Sequence, residues 1–229
     1  MGTLEINSDG TTQLHSNVAT HSNQTYNSAV TLMNDVTIDS HLGNGSITFD
    51  GTVNSENNDS HNLTINSGVE NITFNNQIGN NQPLGILQAN STGTTRFNST
   101  VEAFNLTTNP GGTTSLNSNV TTAGDQNYGD AVVLESDTIL NANEFTFSAG
   151  LDAGGHSLTL KATEIDTINS LTNGNLLTLQ PATSNQAIAI GATNNSTAAL
   201  DLTTSELNAF QSNFNTLTIG QGNTNPVTW

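Results

Sequence analysis

The chain has 229 residues, a formal net charge of −17 and only two basic residues, Arg96 and Lys161. Binding to nucleic acid or to anionic lipid depends on clustered lysine and arginine, so this composition excludes both as partners. The chain has no cysteine, which excludes disulfides and thiol chemistry. No apolar run approaches the roughly 20 residues that a membrane-spanning helix needs, so we expect no membrane insertion.

Charged residues make up 9% of the chain, and asparagine, serine, threonine, glutamine and glycine take their place. Two structures suit such a composition: a disordered polar chain, or a repetitive β protein with polar side chains on outward faces and in turns. Disordered polar tracts lack apolar periodicity, whereas this chain has it nearly throughout. We therefore predict a repetitive β protein.

The first predicted strand, residues 3–7, follows Met1-Gly2 directly, at the place where a signal peptide would stand. The alternatives are a longer parent protein that carries the signal upstream and a cytoplasmic protein. We favour the first alternative and expect the chain to be a fragment of a longer protein.

An internal repeat begins soon after this strand. Residues 11–40 align without a gap on residues 113–142, at an offset of 102, with thirteen identities in thirty positions. Looser matches continue the alignment as the offset drifts to 98 and then 95. A shorter period lies inside the long one, because residues 94–101, TTRFNSTV, match residues 113–120, TTSLNSNV, at a step of 19. Such periods are typical of coil-by-coil repeat proteins.

The strand phrases inside these coils are apolar–polar–apolar triplets, as in Ile47-Thr48-Phe49, Ile72-Thr73-Phe74 and Phe104-Asn105-Leu106. Alternation predicts that both apolar side chains of a triplet point inward and the polar one outward. Turn formers such as Asp50-Gly51 and Gly154-Gly155 separate the triplets.

Short strands between turns also suit an antiparallel sandwich or barrel, but a period of about 20 residues favours a solenoid. We predict an all-β fold, a right-handed parallel β-helix of about ten coils with apolar columns inside and asparagine and threonine ladders outside. The predicted organisation is one β-solenoid domain over 1–229, an internal repeat at 11–110 and 113–200, and a C-terminal module at about 175–229.

A short helix is predicted near 203–212. Thr203 and Glu206 have the spacing of a capping box. Leu207, Phe210 and Phe214 are spaced to share one helix face. A strand is predicted to follow at 216–220.

Several of these phrases resemble the filamentous haemagglutinin-like large exoproteins of cyanobacteria and other Gram-negative bacteria. The resemblance is carried by residues 24–32, their echo at 126–134, and residues 46–53. It extends to the phrases at 177–182, 188–191 and 202–207. It implies a right-handed parallel β-helix that is secreted and displayed at the bacterial cell surface, where it acts in adhesion, aggregation or spacing. No catalytic residues come with the pattern.

The residues themselves predict neither an enzyme nor a cofactor, and no catalytic, cofactor-binding or metal-binding residues. Arg96 and Lys161 are the only strong bases, and nothing in the sequence brings them together as lyase chemistry would require. The acids are spread singly, and Asp35 and Asp137 occupy the same repeat position, which indicates a structural turn. The histidines lack metal-ligand spacing and are interpreted as solvated or turn residues; they are His15, His21, His41, His61 and His156. For Ca²⁺ we expect only weak, diffuse association.

The leading functional hypothesis is therefore a non-catalytic structural or adhesive segment of a large surface protein. Its expected partners are neighbouring coils of the parent protein, a surface glycan or cell receptor, and further copies joined end to end. The alternatives are a carbohydrate-binding or polysaccharide-cleaving β-helix and an ice-binding solenoid. Tyr26, Tyr128 and Trp229 are the sugar-stacking candidates, although the equivalent repeat positions of the two tyrosines indicate packing.

Overall fold

The computed structural model describes residues 2–191, 193, 199–210 and 214–220. Over these residues the fold is all-β, and the strand pairs are parallel. The strands stack into a β-solenoid of about nine coils, since one stack contains nine strands that lie side by side. The predicted all-β solenoid with a short helix near its C-terminal end is confirmed, with about one coil fewer than expected.

The strands are short, and most contain two to five residues. In chain order they are β1 (Leu4–Ile6), β2 (Thr12–Leu14), β3 (Val18–Ala19), β4 (Gln24–Tyr26), β5 (Val30–Leu32), β6 (Val36–Asp39), β7 (Ile47–Phe49), β8 (Val53–Ser55), β9 (Leu63–Gly68), β10 (Ile72–Phe74), β11 (Leu84–Ser91), β12 (Thr94–Phe97), β13 (Val101–Thr108), β14 (Thr113–Leu116), β15 (Val120–Thr122), β16 (Gln126–Tyr128), β17 (Ala131–Leu134), β18 (Thr138–Asn141), β19 (Glu144–Phe147), β20 (Leu151–Asp152), β21 (Leu158–Ala162), β22 (Glu164–Ile168), β23 (Leu171–Thr172), β24 (Gly174–Pro181), β25 (Ala187–Ile190), β26 (Ala199–Leu202) and β27 (Phe214–Ile219). A 3₁₀ turn lies at His41–Gly43, and helix α1 spans Thr204–Phe210.

Most strands belong to three stacks, which we call A, B and C. Stack A contains β1, β4, β7, β10, β12, β14, β17, β20 and β23. Stack B runs from β2, β5 and β8 through Ile78 and the start of β13 to β15, β18, β21, β24 and β27. Stack C contains β3, β6, β9, β11, the end of β13, β16, β19 and β22. A coil therefore visits the three stacks in turn.

The core of stack A is a column of aromatic rings. Tyr26, Phe49, Phe74 and Phe97 follow one another in successive coils, with ring centroids 4.8, 4.9 and 5.3 Å apart and nearly parallel planes. These distances are close to the spacing of neighbouring strands, so parallel, in-register pairing aligns the rings. The inward orientation predicted for Ile47-Thr48-Phe49 and Ile72-Thr73-Phe74 is confirmed, because their apolar side chains are buried.

The prediction that Phe104 and Leu106 both point inward is wrong. Leu106 is buried, but Phe104 is 56% exposed. Strand β13 turns the corner between two stacks, since Val101–Ala103 pair in stack B and its last residues pair in stack C. The corner breaks the alternation, because two consecutive residues, Phe104 and Asn105, face outward between the buried Ala103 and Leu106.

The step of 19 residues is one coil. Thr94 pairs with Thr113, Arg96 with Ser115, and the matched phrases continue in register into the next strand. The step of 102 residues is different, because it does not return to the same stack. Within the aligned blocks, β2 of stack B corresponds to β14 of stack A, β4 of stack A to β16 of stack C, and β6 of stack C to β18 of stack B. The second copy is thus rotated by one stack relative to the first.

Despite this rotation, the two copies bury the same polar pair. The Tyr26 hydroxyl donates to Gln24 Oε1 at 2.7 Å, and the Tyr128 hydroxyl donates to Gln126 Oε1 at 2.9 Å. In both copies the glutamine amide donates to a backbone carbonyl fifteen residues further along the chain. A buried amide and hydroxyl that satisfy each other avoid the cost of unpaired polar groups.

Asp35 and Asp137 also make the same contact in both copies. Asp35 Oδ1 accepts the backbone N–H of Asn62, and Asp137 Oδ1 accepts that of Ser157, both at 2.8 Å. Asp35 precedes β6 and Asp137 precedes β18, and each carboxylate holds the residue that leads into the paired strand of the next coil. The predicted structural turn role of these two aspartates is confirmed.

Helix α1 begins with the predicted capping box. The backbone N–H of Thr203 donates to Glu206 Oε2 at 2.7 Å, and the backbone N–H of Glu206 donates to Thr203 Oγ1 at 3.3 Å. The prediction that Phe214 shares the helix face is wrong. Phe214 starts β27 and pairs with Gly174, where its ring occupies the space that a side chain at Gly174 would fill. In the part of the chain that the structure describes, no helix has the length and apolar character of a membrane span.

Candidate functional surface

The two basic residues lie on different stacks. Arg96 faces outward from stack A, where its Nη1 lies 3.3 Å from Ser115 Oγ and 3.8 Å from Glu135 Oε1. Lys161 lies in β21 of stack B, between Asn141 and Gln180 of the neighbouring coils. The structure therefore does not bring the two cations together as a lyase site would require.

Three of the five histidines contact carboxylates. His41 Nδ1 lies 2.5 Å from Asp39 Oδ1, and His156 Nδ1 lies 3.7 Å from Asp137 Oδ1. His61 lies among three acids. The remaining two, His15 and His21, are exposed.

The contact with His41 changes the pKa of Asp39. Burial raises its pKa, but hydrogen bonds from the His41 backbone N–H and imidazole, together with the charge of that ring, outweigh burial. The pKa of Asp39 therefore lies below its usual value.

The two tyrosines do not form a sugar-binding surface. Tyr26 and Tyr128 are fully buried, as their equivalent repeat positions indicated, and their hydroxyls are used inside the core. Trp229 lies outside the described residues. In the part of the chain that the structure describes, Phe104 is an exposed aromatic side chain, although its triplet predicts an inward orientation.

Phe104 lines a surface groove of about 460 Å³. Pro83 and Ala123 add apolar surface to the groove, and Glu102 and Thr121 add polar groups. An exposed aromatic ring beside hydrogen-bonding side chains is the arrangement by which proteins stack on the apolar face of a sugar. No signal in the sequence marked Phe104, because the corner of β13 shows only in the strand pairing.

The outward face of stack A carries a short threonine column. Thr25, Thr48 and Thr73 occupy successive coils at the central position of each strand. The column then continues as Arg96 and Ser115. Three successive coils contribute one threonine each at this position, and the next two contribute none, so this column is not the regular Thr-x-Thr array that an ice-binding face requires.

Beside this column runs an asparagine ladder of the kind predicted for the outer surface. Asn98 Nδ2 donates to Asn75 Oδ1 at 2.7 Å, and Asn75 Nδ2 donates to Asp50 Oδ1 at 2.6 Å. Asn27 makes the same type of bond to Asn7. These side chains link neighbouring coils along the stack.

Asp130 is a fully buried carboxylate that directly precedes β17 of stack A. Its Oδ1 accepts the backbone N–H of Gly112 at 2.7 Å, and its Oδ2 accepts the Thr114 hydroxyl at 3.1 Å. Burial raises the pKa of Asp130, and these hydrogen bonds offset only part of that effect. In the first copy of the repeat this position is Ser28, whose hydroxyl bonds Thr12.

Asp130 should therefore make stability depend on pH. An acid whose pKa is raised in the folded state destabilises the fold when it ionises. This destabilisation is absent when the pH lies below the pKa that an aspartate has in the unfolded chain, near 4. The cost grows as the pH rises through the higher pKa of the folded state. We expect Asp130→Asn to remove this decline, because its amide oxygen still accepts the Gly112 N–H and its uncharged NH₂ group donates to the Thr114 hydroxyl in place of the carboxylate bond. Urea unfolding at several pH values between about 3 and 7 should show wild type losing stability relative to the variant as pH rises; a constant difference would contradict this assignment.

Comparisons with known proteins add no relative: no family model matches the chain, and neither the curated proteins nor the solved structures contain a significant match.

Proposed function

We propose that this chain is a non-catalytic structural and adhesive segment of a large secreted bacterial surface protein, of the filamentous haemagglutinin-like kind. The observation that carries the proposal is the continuous stacking of parallel coils through three stacks. A solenoid of this kind extends along one axis and presents a long outer surface, which suits a stalk or spacer.

The polar side chains support the same function. The repeated aspartates, Asp35 and Asp137, hold turns, and the asparagine ladder ties one coil to the next. These groups are used to maintain the rod. The few charged residues and abundant amides leave an outer surface that interacts through hydrogen bonds more than through charge.

The first coil offers a place for further coils. Among the described residues, strand β1 has a partner on one side only, β4, and the side chains of Leu4, Ile6 and Val18 are only partly buried. An open strand edge with apolar side chains pairs readily with another strand. In the proposed parent protein a preceding coil covers this edge, and in the isolated chain a second copy takes that place.

Localisation tests the proposal. Antibodies raised against the purified chain should label intact, unpermeabilised cells of the source bacterium. On immunoblots of those cells they should detect a polypeptide much larger than 23.9 kDa. Labelling that requires permeabilisation, or a single band near the mass of the chain, would reject the surface-segment function.

A second function, carbohydrate binding, is favoured by Phe104 and its groove. If the groove stacks on a sugar, Phe104→Ala should lower glycan binding on an array by about tenfold or more, since a well-placed stacking contact contributes about 1.4 kcal/mol. Leu42→Ala is the matched control, because Leu42 is also an exposed apolar residue but lies away from the groove. Binding that survives Phe104→Ala unchanged would exclude this groove as the site.

A further inference from the structure

We propose that Glu56, Asp59 and His61 form a binding site for a divalent transition-metal ion of the zinc class. The three residues lie in the loop between β8 and β9, at the corner between stacks B and C. His61 Nε2 lies 3.3 Å from Glu56 Oε1 and 3.9 Å from Asp59 Oδ2, and the three candidate ligand atoms all lie within 4.8 Å of one another.

These separations suit one ion. Zinc binds histidine nitrogen and carboxylate oxygen at about 2.0–2.2 Å, so tetrahedral ligand atoms lie about 3.3–3.6 Å apart. Small side-chain adjustments bring the three atoms to that spacing, and water fills the fourth position. The imidazole ligand favours zinc and its neighbours over Ca²⁺ and Mg²⁺, which prefer oxygen ligands throughout.

The loop positions the ligands through its own hydrogen bonds. The backbone N–H of Asp59 donates to the carbonyl of Glu56 at 3.3 Å, and the N–H of His61 donates to Ser55 Oγ at 2.9 Å. Asp59 Oδ1 accepts the N–H of Ser60, which leaves Oδ2 directed toward the imidazole. The His61 side chain is only 12% exposed, so its ring is held in place against the solenoid.

The other ring nitrogen of His61 faces a third acid, Asp35. Asp35 Oδ1 lies 3.9 Å from His61 Nδ1, and the backbone N–H of Asn62 fixes this carboxylate from the next coil. Histidines that bind metal usually direct the second ring N–H toward a carboxylate or carbonyl, which sets the tautomer and strengthens the ligand. An ion at Nε2 also offsets the mutual repulsion of the acids that surround one imidazole.

The second copy of the repeat provides an internal comparison. His156 and Asp137 reproduce the contact of His61 with Asp35, at 3.7 Å. The turn before His156 is Ala153-Gly154-Gly155. The acid that precedes this turn, Asp152, accepts the Gly154 N–H and Asn173 Nδ2 and makes no close contact with the imidazole. The histidine–aspartate contact is therefore part of the fold, whereas the contacts of the imidazole with two additional acids are specific to the first copy.

Titration calorimetry with ZnCl₂ on the chelator-treated protein tests the site. Millimolar Ca²⁺ and about 150 mM salt in the buffer suppress diffuse binding to an acidic surface. We expect about one equivalent of Zn²⁺ to bind wild type with a Kd in the micromolar range or below. His61→Ala should abolish this binding, whereas His156→Ala should leave it unchanged.

Two more variants keep the test independent of a folding defect. Glu56→Gln changes one loop carboxylate and should weaken Zn²⁺ binding by at least about tenfold. Asp35→Asn leaves all three proposed ligands in place and should weaken Zn²⁺ binding by about 10–100-fold. Co²⁺ in place of Zn²⁺ should give the visible absorption of a tetrahedral site in wild type and His156→Ala. The proposal is overturned if wild type binds no stoichiometric Zn²⁺, if Ca²⁺ displaces it, or if His61→Ala and His156→Ala bind alike.

Discussion

Replacing Phe49 with alanine should lower the free energy of unfolding by about 3–5 kcal/mol. Phe49 is fully buried between Tyr26 and Phe74, with ring centroids 4.8 and 4.9 Å away. Removing the ring loses buried apolar area and leaves a cavity that stacked coils cannot close, because backbone hydrogen bonds fix their separation. Urea denaturation monitored by circular dichroism measures the change.

Phe104→Ala is the matched control for this prediction. It removes the same atoms from a side chain that is 56% exposed, so the expected loss is below about 1 kcal/mol. Equal losses for the two substitutions would contradict this account. If both losses were small, the aromatic column would not stabilise the fold as described; if both were large, Phe104 would have to lie in the interior.

Replacing Gly79 with alanine should cost about 2–5 kcal/mol. Gly79 follows the Ile78 bridge of stack B and has φ +73°, a conformation that costs an alanine about 1–2 kcal/mol. A methyl group at this position would also lie 2.0 Å from the carbonyl oxygen of Glu102 in the next coil. Because that oxygen belongs to the backbone, relief requires the coils to move apart, which adds about 1–3 kcal/mol.

Gly155→Ala separates the two contributions. Gly155 has φ +89°, but a methyl group there would meet no atom within 4 Å. Only the conformational cost applies, so the expected loss is about 1–2 kcal/mol. Urea unfolding of both variants should give the larger loss for Gly79→Ala; the reverse order would contradict the close approach of adjacent coils at Gly79.

The repeating strands could be predicted from the sequence because inward and outward residues alternate along them. Ile47-Thr48-Phe49 and Ile72-Thr73-Phe74 pair directly in the structure, as their shared pattern indicated. Helix α1 was predictable because Thr203 and Glu206 carry a local capping signal. The division into one domain with two unequal copies stays a prediction.

Features that depend on the path between strands could not be predicted. Alternation does not show where a strand turns a corner, so Phe104 was placed inside. A match between two sequence blocks does not show how many strands lie between them. The rotation by one stack between Tyr26 and Tyr128 is therefore visible only in the strand pairing. Phe214 has helical spacing, but pairing with β24 determines its conformation.

The candidate metal site was missed for a related reason. Spacing rules search for histidines on one helix face, whereas this site is formed by an irregular corner loop. Glu56, Asp59 and His61 are close in sequence, but their convergence depends on the turn between Glu56 and Asp59 and on the anchoring of His61 by Ser55.

The central claim is that neighbouring coils stack in parallel and in register, and the chain's lack of cysteine makes it directly testable. Spin labels on Thr48→Cys and Thr73→Cys would occupy adjacent coils, about 4.8 Å apart along stack A. Electron paramagnetic resonance should then show strong spin exchange in the doubly labelled protein, which each single label lacks. Two independent, non-interacting labels would contradict the solenoid and favour an antiparallel hairpin arrangement.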